Sequence, residues 1–403
     1  TNKMTRVTEQ QLETDRMILN FGPHHPSTHG TLRIIMELEG ETVMKAIPEI
    51  GYLHSGFEKL GEDLDFNQYI TITDRMNYLS PLCNNVAYAL AAEKLMELEV
   101  SKRTEYIRVL MCELSRIADH LLNVGMLAVD LGAMTAFLYG FRAREDIYDL
   151  FEIATGTRLT TSYTLVGGLM RDIPDGYDKA VLKVLDEVDE IANDIETLLT
   201  KNRIWHDRTK NIGIISKENA ISYGISGPMA RASGIDWDIR VNEPYSSYED
   251  FDFDVAIALN GDVFDRYLVR MEEIRQSINI CRQSLDKMPT GDVSIDPDFG
   301  FSLPPKDEVY NSIEGLIYHF EVTMPNRGMN PPVGEAYVAT ESPNGELGYY
   351  IVSDGNRTPY RVRTRPPSLI NYSIFSKLIE GHMLSDAPAI LGSINIIAGE
   401  LDR

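Results

Sequence analysis

The 403-residue sequence predicts an α+β fold with a central α-helical bundle between small N-terminal and C-terminal β elements. Three observations carry this reading. Short β-type runs crowd the first fifty residues, three- and four-residue apolar spacing dominates from Cys83 onward, and a hairpin signal reappears near residue 344.

Residues 17–21 and 31–38 alternate in the manner of strands on either side of a turn, and 41–47 continues the pairing up to Pro48. Stretches 84–98, 103–122 and 178–200 place apolar residues on one helical face with charge opposite. Further helices are expected at 123–155, broken near Gly132, at 262–287 and at 308–320, all burying one another in one bundle. Tyr337, Val338, Tyr349, Tyr350 and Val352 flank Pro343-Asn344-Gly345, whose Asn-Gly pair signals a hairpin. Arg361, Arg363 and Arg365 alternate before Pro366, so their guanidinium groups share one face of a strand, either a charged edge or a docking strip for an acidic partner. The expected divisions are 1–80, 81–330 and 331–403: a β subdomain, a helical core, and a hairpin with its tail.

Lys and Arg number 38 against 61 Asp and Glu, a net charge of −23, which excludes a phosphate-tracking nucleic-acid surface. The acidic stretches 186–196 and 250–254 read as solvated faces. Cys83, Cys112 and Cys281 form no C-x-x-C pair, so neither a disulfide framework nor a cysteine-ligated metal site is expected, and a reducing compartment fits. No apolar run approaches the ~20 residues of a membrane span, and the polar stretch 1–16 does not read as a signal peptide. A chain that is soluble or peripherally membrane-bound is expected.

The segment Gly22-Pro-His-His-Pro-Ser-Thr-His-Gly30 packs three of eight histidines into a turn stiffened by Pro23 and Pro26. It either presents imidazoles for proton transfer or merely solvates and caps the adjoining strands. Tyr78, after Asp74-Arg-Met-Asn, sits at a loop-to-helix junction with its phenol either facing a cleft or simply buried. Asp130 is an isolated carboxylate in an apolar helix and needs a partner, either a histidine of the turn or a local helix contact. His120, His206, His319 and His382 are scattered and read as structural. Glu113 to Arg116 and Arg142 to Glu145 read as helix-surface charges. No nucleotide-binding glycine motif is present, so NAD or ATP binding is not expected.

These residues, with Gly51-Tyr-Leu-His54, Gly56-Phe-Glu-Lys59, Asp130-Leu-Gly-Ala-Met-Thr135 and Gly399-Glu-Leu-Asp-Arg403, make the chain resemble a known family over nearly its full length. It is the quinone-site, 49-kDa-type (D-type) subunit of proton-pumping NADH:quinone oxidoreductase, respiratory complex I. That family is similar to the large subunit of nickel-iron hydrogenases, so a hydrogenase-like fold is implied. The two C-x-x-C pairs that hold the hydrogenase metal are missing, which excludes hydrogenase chemistry and leaves no metal ligands here.

The resemblance implies that His29 and Tyr78 hydrogen-bond the two quinone carbonyls while Asp130 orients His29, these three being the catalytic set. It further implies that His25, Ser55, Thr135 and Thr160 face cofactors, His25 also shaping the loop. No cofactor is expected on this chain alone. Quinone would be substrate, and electrons would arrive from a [4Fe-4S] cluster in an adjacent small B-type subunit. C-type and I-type peripheral-arm subunits and an H-type membrane subunit are the other implied partners. The implied location is peripheral, on the cytoplasmic side of a bacterial inner membrane or the matrix side of a mitochondrial one.

Ser55 stands where the family commonly has arginine, and Thr160 where many members have a histidine facing the cluster. Loss of these cationic groups favours a lower, less pH-dependent cluster potential and hence menaquinone as acceptor. A ferredoxin or deazaflavin donor, or a non-catalytic scaffold role, are the alternatives.

Overall fold

The computed structural model describes residues 16–295, 303–324 and 331–403. Strands β1 (Arg16–Phe21), β2 (Arg33–Glu39) and β3 (Thr42–Glu49) form an antiparallel sheet in that order. Phe21 pairs with Ile34 and Arg16 with Glu39. β2 alternates as a half-buried strand must, with Ile34, Met36 and Leu38 inward. β3 runs past its expected end: Pro48 pairs with Ile34, which an edge strand tolerates.

Helices α1 (Phe57–Leu60) and α2 (Phe66–Met76) follow, the latter opened by an Asp65–Gln68 capping box. Then come α3 (Pro81–Met96), α4 (Lys102–Asp130) and α5 (Met134–Thr155). The stretches 103–122 and 123–130 are one 29-residue helix, capped where Ser101 accepts from the Thr104 N–H; the expected break falls at 131–133. A two-stranded ribbon, β4 (Thr164–Leu165) and β5 (Gly168–Leu169), leads to α6 (Tyr177–Leu199). Four short helices follow: α7 (Arg203–Thr209), α8 (Lys217–Ser222), α9 (Pro228–Ala232) and α10 (Ile239–Asn242). α11 (Val263–Lys287) returns through the core.

The helix expected at 308–320 is two, α12 (Lys306–Asn311) and α13 (Ile313–Thr323), because the Ser312 side chain accepts from the Gly315 N–H and starts a new helix. Neither joins the bundle: Tyr310 is 82% exposed, and Ile317 and Phe320 are exposed too. Strands β6 (Gly334–Ser342), β7 (Gly345–Ser353) and β8 (Arg361–Arg365) form an antiparallel sheet, with Ser342 paired to Gly345 across the predicted turn. The chain closes with α14 (Pro367–Tyr372), α15 (Phe375–Ile379), α16 (Ala387–Ile394) and α17 (Ala398–Asp402).

The main core joins α4, α5, α6 and α11 to the first sheet; a second joins α2 and α3 to β7 and β8. Between α4, α11 and β6 the interior is ionic. Glu113 and Arg116, read from sequence as surface charges, are fully buried. Three-residue spacing puts them on one helical face without saying which way that face points. Glu113 accepts from Tyr248 and Ser277 at 2.6 Å and from Arg116 and Arg240 at 3.2 Å. Burial alone would raise its pKa, but Arg116, Arg240 and these hydrogen bonds outweigh it and hold it at about 2. Arg231 bonds Glu273 and Glu341 at 2.7 Å, and His120 bonds Glu273 at 2.7 Å. Arg142 and Glu145 do lie on the surface, whereas Arg144 between them is buried against the Tyr148 ring.

The arginines of β8 are taken up within the chain. Arg361 pairs with Glu62 at 2.9 Å, Arg363 with Glu58 at 2.8 Å and Arg365 with Glu346 at 3.3 Å. Among the described residues, no helix is long and apolar enough to cross a membrane.

Candidate functional site

The turn 22–30 owes its shape to local bonds. The His25 ring accepts from the Ser27 N–H through Nδ1 at 3.2 Å, capping a single 3-10 turn at Pro26–Thr28, and packs tilted against Phe21 with ring centroids 4.2 Å apart. Gly22 is obligatory: its φ is +84°, and a Cβ there would lie 2.2 Å from the Leu32 carbonyl oxygen. The turn separates two recesses. The larger, about 550 Å³, lies against Phe21, His24, His25 and Leu384. The smaller, about 180 Å³, is lined by Ser27, His29, Tyr78, Asp130 and the segment around Asn395–Ala398.

His29, Tyr78 and Asp130 therefore converge on one cavity from three distant segments. Tyr78 lies between α2 and α3, and Asp130 ends α4. The far wall comes from α16, the loop after it, and α17. Gly392 of α16 lets that wall approach, since a Cβ there would sit 3.2 Å from Leu127 and 3.7 Å from Asp130. Asp130 Oδ1 accepts from the Ser27 hydroxyl at 3.0 Å, so its hydrogen-bond partner is neither a histidine nor a neighbour in its own helix.

Desolvation raises the Asp130 pKa, opposed by the Ser27 hydrogen bond and by His29 and His25. Desolvation lowers that of His29, opposed by the Asp130 charge, which favours the neutral imidazole. Desolvation raises the Tyr78 phenol, opposed by a hydrogen bond from the Ala398 N–H. The cavity thus offers a phenol and a neutral imidazole as donors, with a carboxyl behind one of them.

The other expected site residues lie elsewhere. His25 faces the larger recess. Ser55 is exposed, its hydroxyl donating to the Leu53 carbonyl at 3.3 Å. Thr135 is exposed in the first turn of α5, and Thr160 is half-buried with its carbonyl accepting from Thr157.

Several residues that hold the site escaped sequence reasoning. Asn344, at the tip of the β6–β7 hairpin, accepts from Asn77 Nδ2 at 3.0 Å and donates to the Asn395 carbonyl at 2.9 Å. It ties the loop bearing Tyr78 to the far wall. Asn123 and Asn395 line the cavity themselves. Their signal was a polar residue inside an apolar run, the same signal that singled out Asp130. Asp402 receives the Gly51 and Leu53 N–H groups at 2.8 and 2.7 Å, Glu400 accepts from Ser368, and Arg403 bonds Glu58 at 3.2 Å. The motifs at 51–59 and 399–403 are therefore two halves of one knot.

A model of the family described as respiratory-chain NADH dehydrogenase, 49 Kd subunit, matches residues 130–403. The chain belongs to this family. A relative from Geotalea uraniireducens, named as the D-type subunit of NADH-quinone oxidoreductase, is 50% identical over 391 residues, covering 97% of this chain and 99% of its own length. Relatives of the same name from Methylacidiphilum infernorum and Geobacter sulfurreducens are 50% and 49% identical over 391 residues. Each covers 97% of this chain, and the chain covers 93% and 99% of them respectively. Within the 49 Kd family match fall Asp130, α16 and α17, hence one wall of the cavity; His29 and Tyr78 on the opposite side precede it.

Proposed function

We propose that this chain is the quinone-site subunit of a proton-translocating NADH–quinone oxidoreductase and that the 180 Å³ cavity receives the quinone headgroup. The convergence of His29, Tyr78 and Asp130 carries the reading, and the names of the relatives support it. A quinone that gains two electrons becomes basic at both oxygens. Donors from separate segments stabilise that charge at the two ends of the ring and deliver protons to it. Tyr78 gives its phenolic proton at one oxygen. His29 takes up a proton from solvent as negative charge develops nearby and passes it to the other oxygen, returning to the neutral form, while Asp130 stabilises the transient imidazolium. In the hydrogenase-like fold we assign to the family, this cavity replaces a metal site with an organic one.

Electrons are supplied by a [4Fe-4S] cluster in an adjoining B-type subunit, with C-, I- and H-type subunits completing the surroundings. The chain acts as a peripheral protein on the cytoplasmic (or matrix) face. Ser55 and Thr160 provide no cation towards the cluster, which favours a low-potential, weakly pH-dependent centre and menaquinone as acceptor. A redox titration of the terminal cluster across pH checks this; a steep pH slope counts against it.

The catalytic reading is tested by Tyr78→Phe and His29→Ala in the assembled complex. Quinone-linked turnover is expected to fall by ~10²-fold or more, with electron flow to a water-soluble acceptor unchanged. Undiminished quinone reduction in both variants would sink the assignment.

A further inference from the structure

Beneath the cavity lies a second acid that this chemistry does not yet use. Asp119 sits on α4 about three turns before Asp130 and is fully buried. Its Oδ1 accepts from Asn395 Nδ2 at 2.6 Å, and Asn395 lines the cavity beside Tyr78. Its Oδ2 has no partner among the described residues. One turn along the same helical face, Asn123 also lines the cavity; its Nδ2 donates to the Gly392 carbonyl at 2.9 Å, while its Oδ1 has no partner among those residues either. Two buried acceptors left without donors, a turn apart and under a phenol, are satisfied together if Asp119 carries a proton and a water lies among Asp119, Asn123 and Tyr78.

The charged and titratable surroundings agree. His120 on α4 is bound to Glu273, Arg270 approaches from α11 with no described partner for its Nε, Arg144 and Tyr148 come from α5, and Glu400 from α17. Desolvation raises the Asp119 pKa against the pull of His120, Asn395, Arg270 and Arg144.

We propose that Asp119 is the proton reserve that restores Tyr78 after the phenol has protonated the reduced headgroup. The inference rests on the quinone reading above. In the first transfer the Tyr78 O–H bond breaks as an O–H bond forms on the headgroup, whose two electrons derive from NADH. In the second the Asp119 O–H bond breaks, the proton crosses the water held by Asn123, and the phenol is regenerated. The carboxylate left behind is held by Arg270 and Arg144 until solvent returns its proton. Asp119 acts through Tyr78 and is a positioning residue in that sense.

The test uses Asp119→Asn in the assembled complex, with a short-chain naphthoquinone and, separately, ferricyanide as acceptors. Asparagine keeps the Asn395 bond but carries no acid proton. Expected are a ~10²-fold fall in quinone-linked kcat with KM within about twofold, unchanged ferricyanide reduction, recovery in Asp119→Glu, and loss of a protonated-carboxyl infrared band. A wild-type kcat and pH profile, or an infrared signature of an ionised Asp119, overturns the proposal. Should Asp119→Asn fail to assemble, Asn395→Ala removes a bond that lowers the Asp119 pKa, so the alkaline limb of the pH profile moves up; an unmoved limb overturns it equally. Normal turnover in both Tyr78→Phe and His29→Ala refutes the underlying reading, whereas an inactive Tyr78→Phe beside a normal Asp119→Asn refutes this inference alone.

Discussion

Replacing Asn344 with alanine should damage quinone reduction from outside the cavity. The side chain is 3% exposed and makes two hydrogen bonds, accepting from Asn77 at 3.0 Å and donating to the Asn395 carbonyl at 2.9 Å. Truncation strands both partners in a dry interior, and each stranded group costs about 1–3 kcal/mol, roughly 2–6 kcal/mol in all. Asn77 precedes Tyr78 and Asn395 lines the cavity, so part of that cost appears as misplacement of the reacting groups. Each 1.4 kcal/mol so expressed is about tenfold in kcat/KM. The Asn344 backbone carbonyl keeps its bond from Asn371, so the hairpin itself stays docked. The assay is steady-state quinone reduction by the assembled complex, alongside the thermal midpoint of the variant. A variant with wild-type kcat/KM would refute the claim that the hairpin tip sets the geometry of the site.

Ser27→Ala removes the bond that lowers the Asp130 pKa, so Asp130 is protonated at higher pH and His29 loses its counter-charge sooner on acidification. The acid limb of the kcat/KM profile should move to higher pH, and a limb in its original place contradicts the coupling. Glu113 has a folded pKa of about 2, below the ordinary 4.5, so its stabilisation is present above about pH 4.5 and is lost as the pH falls through its folded value. Urea midpoints should therefore drop between about pH 6 and about pH 3. Glu113→Gln should lower stability at about pH 6 by about 3–5 kcal/mol, because Arg116 loses its carboxylate while Arg240 keeps only Asp238, and should flatten that pH dependence. An unchanged slope in Glu113→Gln would assign the acid sensitivity to other carboxyls.

How far the residues disclose the architecture follows from the range of each signal. Periodicity is local, so α6, α11 and the β6–β7 hairpin are legible almost to the residue, whereas α4 reads as two stretches, 103–122 and 123 onward, and is one helix. The division of the 308–320 helix is not, because periodicity does not register a capping serine such as Ser312. The burial of Glu113 and Arg116 is illegible because Arg240, the second cation on Glu113, lies more than a hundred positions away, on a helix too short to show a period. The cavity is half legible. His29, Tyr78 and Asp130 stand out by chemistry and by resemblance, yet the role of Ser27 as the partner of Asp130, and of the asparagines that hold the walls, depends on contacts that no window contains. Asp130 is expected to hold a histidine; it holds the serine two residues before His29, because the tight turn brings Ser27 closest to the end of α4.

The cavity walls run from Ser27 to Leu401, and the knot behind them joins Gly51 to Asp402 across 351 positions. No early portion of the chain can enclose this space as it leaves the ribosome. The imidazole and the phenol acquire their common surroundings only when α16 and α17 arrive, after the long loop-closure cost has been met. Enclosure of the cavity is thus a late folding event, so a chain shortened by even its final helix would keep most of its core and still leave the chamber open where Ala398 and Leu401 close it.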